Sequence, residues 1–481
     1  MPSNIFTTPV ASPYAWALVV VLAAAVLSFF VSFQIGVFAL FFSLLAVWAW
    51  QSPIPAFWFF VVTSVLLPMF KVTQSIGAVT LLKDVLIITL FIKLFALPLL
   101  TQKLPYRRSV LIFPIITLAA WSAIAAVRAD NLLLGVLRLR DIGLYMLLYF
   151  VALYLPRKRA VLAEGAMWLL ATAAVVMLLG AYQWFFAIDS AVLRFDPVRS
   201  IWIPRLSSTF AHPSVYGQYL IVLATITAAI FAILKKPSLK WGSAVIFLTA
   251  LFSIYLTYSR AVWLGLVAAL GAAALAYSTQ WIGKSLTIPW RKVAGVFVVL
   301  IVLAIGVVRF TAVGTFLGSA FDVTYKSNAE RLVFMARLIG STSNTEALFG
   351  HGLGDVIVQN FREVNVTGFD IASGASRSVQ VAKDRTLVDN QHLKSFIELG
   401  LLGLLLQVWL YWRFWQTGWR LTQQATPEQK ILGLVGVGFL AAFMLQGFFI
   451  DIWDIFPTNA YFWIIAGLMS AWSLSQKGEK S

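Results

Sequence analysis

The sequence contains no cysteine in 481 residues, which excludes disulfides, thiolate catalysis and cysteine metal sites. Charge is nearly as scarce. Charged residues make up 11% of the chain, where a soluble domain carries roughly a quarter, and no charged side chain precedes Lys71. Histidine occurs only at 212, 351 and 392, and neither HExxH nor DxD is present, so no metal and no other cofactor is expected. A P-loop is missing as well. Gly283-Lys284-Ser285 imitates its end, but Ser278 stands where the first glycine is required, which argues against ATP hydrolysis. What is abundant is apolar surface, 60% of residues against roughly 45–50% in soluble domains. That excess needs a membrane as solvent, so the chain is expected to be an all-α polytopic membrane protein in contact with membrane lipids.

Apolar runs broken by Pro, Gly and polar residues place candidate spans at 16–33, 36–50, 55–70, 79–100, 110–127, 144–154, 161–187, 215–234, 241–256, 261–277, 293–310, 393–412, 431–449 and 458–472. The second is short, and 241–256 is separated from 261–277 only by Thr257, Tyr258, Ser259 and Arg260, so 12 to 14 spans are expected. The residues ahead of 16 carry no charge, unlike the basic start of a cleavable signal, and the first run is read as a retained helix. Orientation follows from the short loops. Lys103/Arg107/Arg108, Arg157/Lys158/Arg159, Lys235/Lys236/Lys240, Lys284/Arg291/Lys292 and Arg413/Arg420/Lys430 occupy alternate connections, and Lys477 and Lys480 fall on the same side. Both termini are therefore expected in the cytoplasm. The net charge of +17 is in large part this topology signal, which removes nucleic acid as a partner.

Three regions result: 1–310 with spans 1–11, 311–390 as a large extracytoplasmic loop, and 391–481 with spans 12–14. A loop that long should contain structure. Ser327 with Glu330 reads as a capping box ahead of a short helix that stops at Gly340, and Asp355 reads as the cap of a second one. The stretch 366–385, rich in Gly, Ser, Thr and Val, reads as a flexible arm.

The cations expected on the outer side are almost all arginine: Arg128, Arg138, Arg140, Arg194, Arg199, Arg205, Arg260, Arg331, Arg337, Arg362, Arg377 and Arg385. Topology alone would not choose guanidinium over ammonium. Planar forks match phosphate oxygens, so as a group they suit a lipid-linked diphosphate, while any one of them taken singly is read as the partner of a carboxylate or headgroup. Arg205 opens RLSSTFAHPSVYG, where His212-Pro213 marks either a ligand-facing helix start or merely the first turn of a span. Arg260 lies at the junction of two short spans, an expensive place for an unpaired charge unless it snorkels. Gly350, Gly352 and Gly354 look like a phosphate cradle, but no strand precedes them and a structural turn is the better reading. In VDNQHLKSFIELGLLGLL, Asp389 and His392 share a helix face at the mouth of a span. Either is placed to act as general base, and Asp389 or Asn390 is alternatively a plain N-cap. Glu398 lies roughly 13 Å deeper and is read as fixing helix packing.

Between 205 and 405 these stretches resemble the O-antigen ligase and polymerase family, bacterial membrane glycosyltransferases. Tyr258-Ser259-Arg260 resembles that family's Ser-Arg turn, Arg331 its loop arginine, Gly350 to Gly354 its GxGxG turn, and Asn390, Gly400 and Gly403 its HNx9GxxG pattern. Asp389 stands where the ligase branch has histidine, which favours the polymerase-like branch. The resemblance implies a GT-C-like membrane fold in the bacterial inner membrane with an active site on the extracytoplasmic face. It implies metal-independent inverting transfer from an undecaprenyl-diphosphate-linked glycan donor to a glycan or lipid-glycan acceptor. Arg205, Arg260 and Arg331 would bind the donor diphosphate, and Asp389 with His392 would activate the acceptor hydroxyl. An O-antigen ligase acting on lipid A-core and a lipid-linked oligosaccharide flippase or transporter are the alternatives. Against a transporter stands the sparseness of deep charge, with only Lys93 and Glu398 expected near mid-membrane.

Overall fold

The computed structural model describes residues 33–72, 80–103, 107, 109–188, 191–196, 201–282, 335–336, 339–340, 342–354, 364–370, 375–381 and 390–474. The chain is an all-α polytopic membrane protein. In chain order its elements are α1 (Phe33–Gln51), α2 (Pro53–Val72), α3 (Thr80–Phe91), continued by a π turn (Ile92–Ala96) into Leu97–Leu100, α4 (Ile112–Val127), α5 (Leu132–Tyr154) and α6 (Arg159–Phe186). A hairpin of β1 (Val192–Asp196) and β2 (Ile201–Arg205) leads to α7 (Pro213–Ile233), α8 (Pro237–Leu256) and α9 (Arg260–Ile282). After these come α10 (Asn344–Phe349), a second hairpin of β3 (Val364–Asp370) and β4 (Ala375–Val381), α11 (Gln391–Thr422), α12 (Pro427–Gln446), a 3-10 turn (Ile452–Asp454) and α13 (Thr458–Ser473).

Local chemistry sets where these helices begin. Pro213, Pro237 and Pro427 stand in first turns, where the missing N–H is no loss. Asn131, Asn390 and Thr426 accept from the backbone N–H three residues on, and His212 Nδ1 accepts from Ser214 N at 3.2 Å. Among the described residues six helices are long and apolar enough to cross a membrane: α6, α7, α8, α9, α11 and α12. Their burial sorts them. The span in α7 is 72% buried and that in α9 only 22%, so α7 is an inner helix, while α9 turns apolar side chains such as Val267 to lipid. Glycine lets inner neighbours approach. A Cβ on Gly467 of α13 would stand 2.5 Å from Tyr149 O of α5, and one on Gly438 of α12 would stand 2.8 Å from Ala269 O of α9.

Spans 36–50 through 110–127, and those expected at 161–187, 215–234, 241–256, 261–277, 393–412, 431–449 and 458–472, each coincide with a helix. Two expectations are corrected. The span at 144–154 begins twelve residues earlier, at Leu132, so Arg138, Arg140 and Asp141 lie within α5 and not in a loop. The helix carries these charges because Arg138 is neutralised by carboxylates inside the protein. The stretch 366–385 contains an antiparallel hairpin instead of a plain flexible arm. Val364 pairs with Val381 and Val366 with Val379, and β-branched pairs of this kind favour extended chain. The spans at 16–33 and 293–310, the Ser327–Glu330 capping box and the helix after Asp355 lie outside the described residues.

Candidate functional site

Hydrogen bonds gather several helix ends at one pole of the molecule. Arg205 at the end of β2 donates from Nε to Thr257 O at 2.9 Å, and Leu206 N donates to Leu256 O at 3.0 Å, which pins this strand to the α8–α9 turn. In that turn Tyr258 takes a positive φ of 44°, and Ser259 Oγ lies 3.1 Å from Ser214 Oγ at the start of α7. Arg260 follows at once as the first residue of α9, half-buried. The next residue, Ala261, offers its carbonyl to Gln446 Nε2 of α12 at 3.5 Å. The last turn of α12 also holds the start of α11: Gln391 N donates to Gly447 O at 2.7 Å, and His392 Nε2 lies 3.0 Å from Met444 O with its ring 4.5 Å from that of Phe448. Thus Arg205, Arg260 and His392, far apart in sequence, flank one continuous set of helix ends.

The head of α11 is mounted separately from the rest of that helix. Gly400 breaks the helix with φ 71° and ψ −175°. The carbonyls freed at such a break must find donors, and here they do. Ile397 O accepts from His351 N at 2.8 Å, Glu398 O from Gly352 N at 3.3 Å, and Leu399 O from Trp121 Nε1 at 2.8 Å. The GxGxG turn therefore presents its backbone N–H groups to a broken helix, which supports the structural-turn reading over a phosphate cradle. Gly350, Gly352 and Gly354 all have positive φ. Arg128 clamps the same turn from α4, donating to Phe349 O at 3.0 Å and Gly350 O at 3.1 Å.

Behind the head of α11 lies a buried ion network. Arg138 Nε is 3.3 Å from Glu398 Oε1, and a second guanidinium nitrogen pairs with Asp454. Lys394 pairs with Asp454 and lies 3.7 Å from Asp451, while Gly354 N donates to Glu398 Oε1 at 3.3 Å. Arg138, Lys394 and Glu398 are each less than a tenth exposed. Burial works against ionisation of Asp454, but Arg138 and Lys394 outweigh it and hold that carboxyl below its usual range. The adjoining cavity, lined in part by Ser122, Arg138, Ser395, Glu398 and Trp453, measures about 20 Å³. That is room for one water and not for a sugar, and Glu398 beside it is 2% exposed.

Of the candidate site residues, Arg205, Arg260 and His392 are described, whereas Arg331 and Asp389 lie outside the described residues. Asn390 is the N-cap of α11, its Oδ1 accepting from Leu393 N at 2.9 Å, so capping falls to Asn390. Among the other arginines expected on the outer side, Arg128 is engaged by backbone carbonyls, Arg138 by Glu398 and Asp454, and Arg140 by Asp84 and Asp141. Sequence reasoning missed Lys394, Asp451 and Asp454 altogether. The only sequence signal was that Lys394 lies one turn past the cap and that two aspartates three apart interrupt an apolar stretch. It also missed the capping box of α10, where Ser343 and Glu346 serve each other's backbone N–H groups.

No curated protein matches the chain. Residues 245–408, which include the Ser259-Arg260 turn, the GxGxG turn and the head of α11, match the family model described as O-antigen ligase.

Proposed function

We propose that the protein is a polysaccharide polymerase of the bacterial inner membrane, which transfers a glycan from an undecaprenyl-diphosphate-linked donor to a sugar hydroxyl at its extracytoplasmic pole. The carrying observation is that Arg205 is bonded to the turn that ends in Arg260, and that this turn and the His392-bearing head of α11 share the last turn of α12. Cations suited to a diphosphate and groups suited to a proton thereby border one pole. In this reading Arg260 and Arg331, with Arg205 bracing the turn, hold the donor diphosphate bidentately. Asp389, one residue before the α11 cap, takes the acceptor proton with His392 as its neighbour. The acceptor oxygen bonds to the anomeric carbon from the face opposite the departing lipid diphosphate, so configuration inverts. Guanidinium groups stabilise the charge that develops on the leaving diphosphate, and the step runs without a metal.

The test is purified protein in lipid nanodiscs with undecaprenyl-diphosphate-linked repeat units. Lipid-linked glycans longer by whole repeats, formed equally in EDTA, are the expected products. The family description favours a second reading, ligation, which would appear as transfer to added lipid A-core without lengthening. Neither product, from protein shown to be folded, would refute glycosyl transfer.

A further inference from the structure

We propose that Glu398 is a positioning residue: its carboxylate, fixed by Arg138, sets the GxGxG turn and the head of α11 in the arrangement that the reaction uses. The kinetic half of this inference rests on the glycosyl-transfer reading, and the structural half does not.

The break at Gly400 means that residues Gln391 to Leu399 are not aimed by the lower part of α11. Their orientation comes from lateral bonds instead. At the top these are Gln391 N to Gly447 O and His392 to Met444 O. Midway there is Lys394 with Asp454. At the bottom is Glu398, which touches two separate elements at once. Its carboxylate meets Arg138 of α5 and Gly354 N of the turn, and its carbonyl meets Gly352 N. No other side chain described on this segment bonds both another helix and the GxGxG turn. Glu398 does not itself meet substrate, because it is 2% exposed and faces a cavity of about 20 Å³.

A buried ion pair is poor evidence for stability by itself, since a matched apolar or neutral pair often serves as well. Geometry is the better explanation of why a charge sits here. Arg138 pairs with both Glu398 and Asp454, and Lys394 also pairs with Asp454, so removing Arg138 and Glu398 together takes away one charge of each sign and leaves Asp454 with Lys394.

That balance supplies the experiment. Two full-length double variants, Arg138→Met/Glu398→Gln and Arg138→Met/Glu398→Leu, are compared in nanodiscs. Both are charge-balanced, but only glutamine retains an oxygen that accepts from Gly354 N. Backbone hydrogen exchange over residues 351–354 should stay protected in the glutamine variant and rise in the leucine variant. The leucine variant should lose about 10²-fold in kcat with donor KM within about twofold of wild type, the signature of misplacement without lost binding, and glutamine should restore most of it. Equal exchange in the two variants would overturn the structural half. Unchanged kcat in the leucine variant, or a raised KM with unchanged kcat, would overturn positioning. A wild-type protein inactive on the donor would sink the functional reading, while the exchange contrast would still decide the geometry.

Discussion

Gly400→Ala should be among the most damaging small substitutions in the protein. At φ 71° and ψ −175° the residue occupies a region that essentially only glycine adopts, and an L-residue held there carries about 1–3 kcal/mol of strain. The added Cβ would also stand 2.4 Å from Leu348 O and 2.5 Å from Gly350 N. Those are backbone atoms, so relief requires the turn to move off the helix. That movement stretches His351 N to Ile397 O and Gly352 N to Glu398 O, each worth about 0.5–1.5 kcal/mol. The expected loss is roughly 2–6 kcal/mol. Gly350→Ala should cost a similar amount, because its Cβ would meet Glu398 O at 2.4 Å, and the two losses should not add, since either one opens the same contact. Gly143→Ala in α5 is the control. Its Cβ meets nothing within 4 Å, and alanine should gain about 0.5–1 kcal/mol in helix propensity. Thermal unfolding in one detergent reads wild type, the three single variants and the Gly350→Ala/Gly400→Ala double variant. Gly400→Ala melting at or above wild type, or additive losses in the double variant, would refute the back-to-back packing of the two glycines.

Asp389→Asn should lower glycan transfer by about 10²–10⁴ without changing the melting temperature, because Asn390 is the cap, and His392→Ala should cost less. Normal transfer by Asp389→Asn with an inactive His392→Ala would move the base to His392. Arg205→Lys loses the Nε bond to Thr257 O, worth about 1.5–3 kcal/mol, so transfer should fall about tenfold or more, and full activity would demote Arg205. Asp454 has a depressed pKa, so its contribution to stability is full above the unfolded value of about 3.9 and is lost as pH falls through the lower folded value. Asp454→Asn should therefore lower the melting temperature at pH 7, with a deficit that shrinks in acid below about pH 4. A deficit independent of pH would mean that Asp454 acts by shape alone.

Most of the membrane-crossing pattern was legible in the sequence because bilayer thickness fixes span length, and an apolar run can be measured against it. The start of α5 was not, because reading RLRD as a loop assumed that buried charge is forbidden. It is allowed where compensation comes from elsewhere, and the compensating Glu398 stands 260 residues away. The same distance problem hid the site's supports. Asn390 as a cap and Gly400 as a glycine are local facts and were visible. That Arg205 bonds the turn before Arg260, or that Lys394 pairs with Asp454, 60 residues further along the chain, is a property of the fold, and no periodicity carries it.

The GxGxG turn and the broken helix explain each other. Inside a membrane protein a helix break is tolerated only if its freed carbonyls meet donors other than water. Here three successive carbonyls, of Ile397, Glu398 and Leu399, are met by two turn amides and one indole. For two successive amides to face a helix at that range, the turn must pass so close that no Cβ fits on either side, which is why Gly350 and Gly400 oppose each other. Each glycine is needed only because the other chain segment is there. The break in turn frees the head of α11 from the rest of that helix, so its direction answers to Arg138, Asp454 and Gly447 instead of to the tilt of the span. A site built on that head is held by the protein interior and not by the bilayer, which is the stiffness that a reaction between two lipid-anchored or bulky glycans would require.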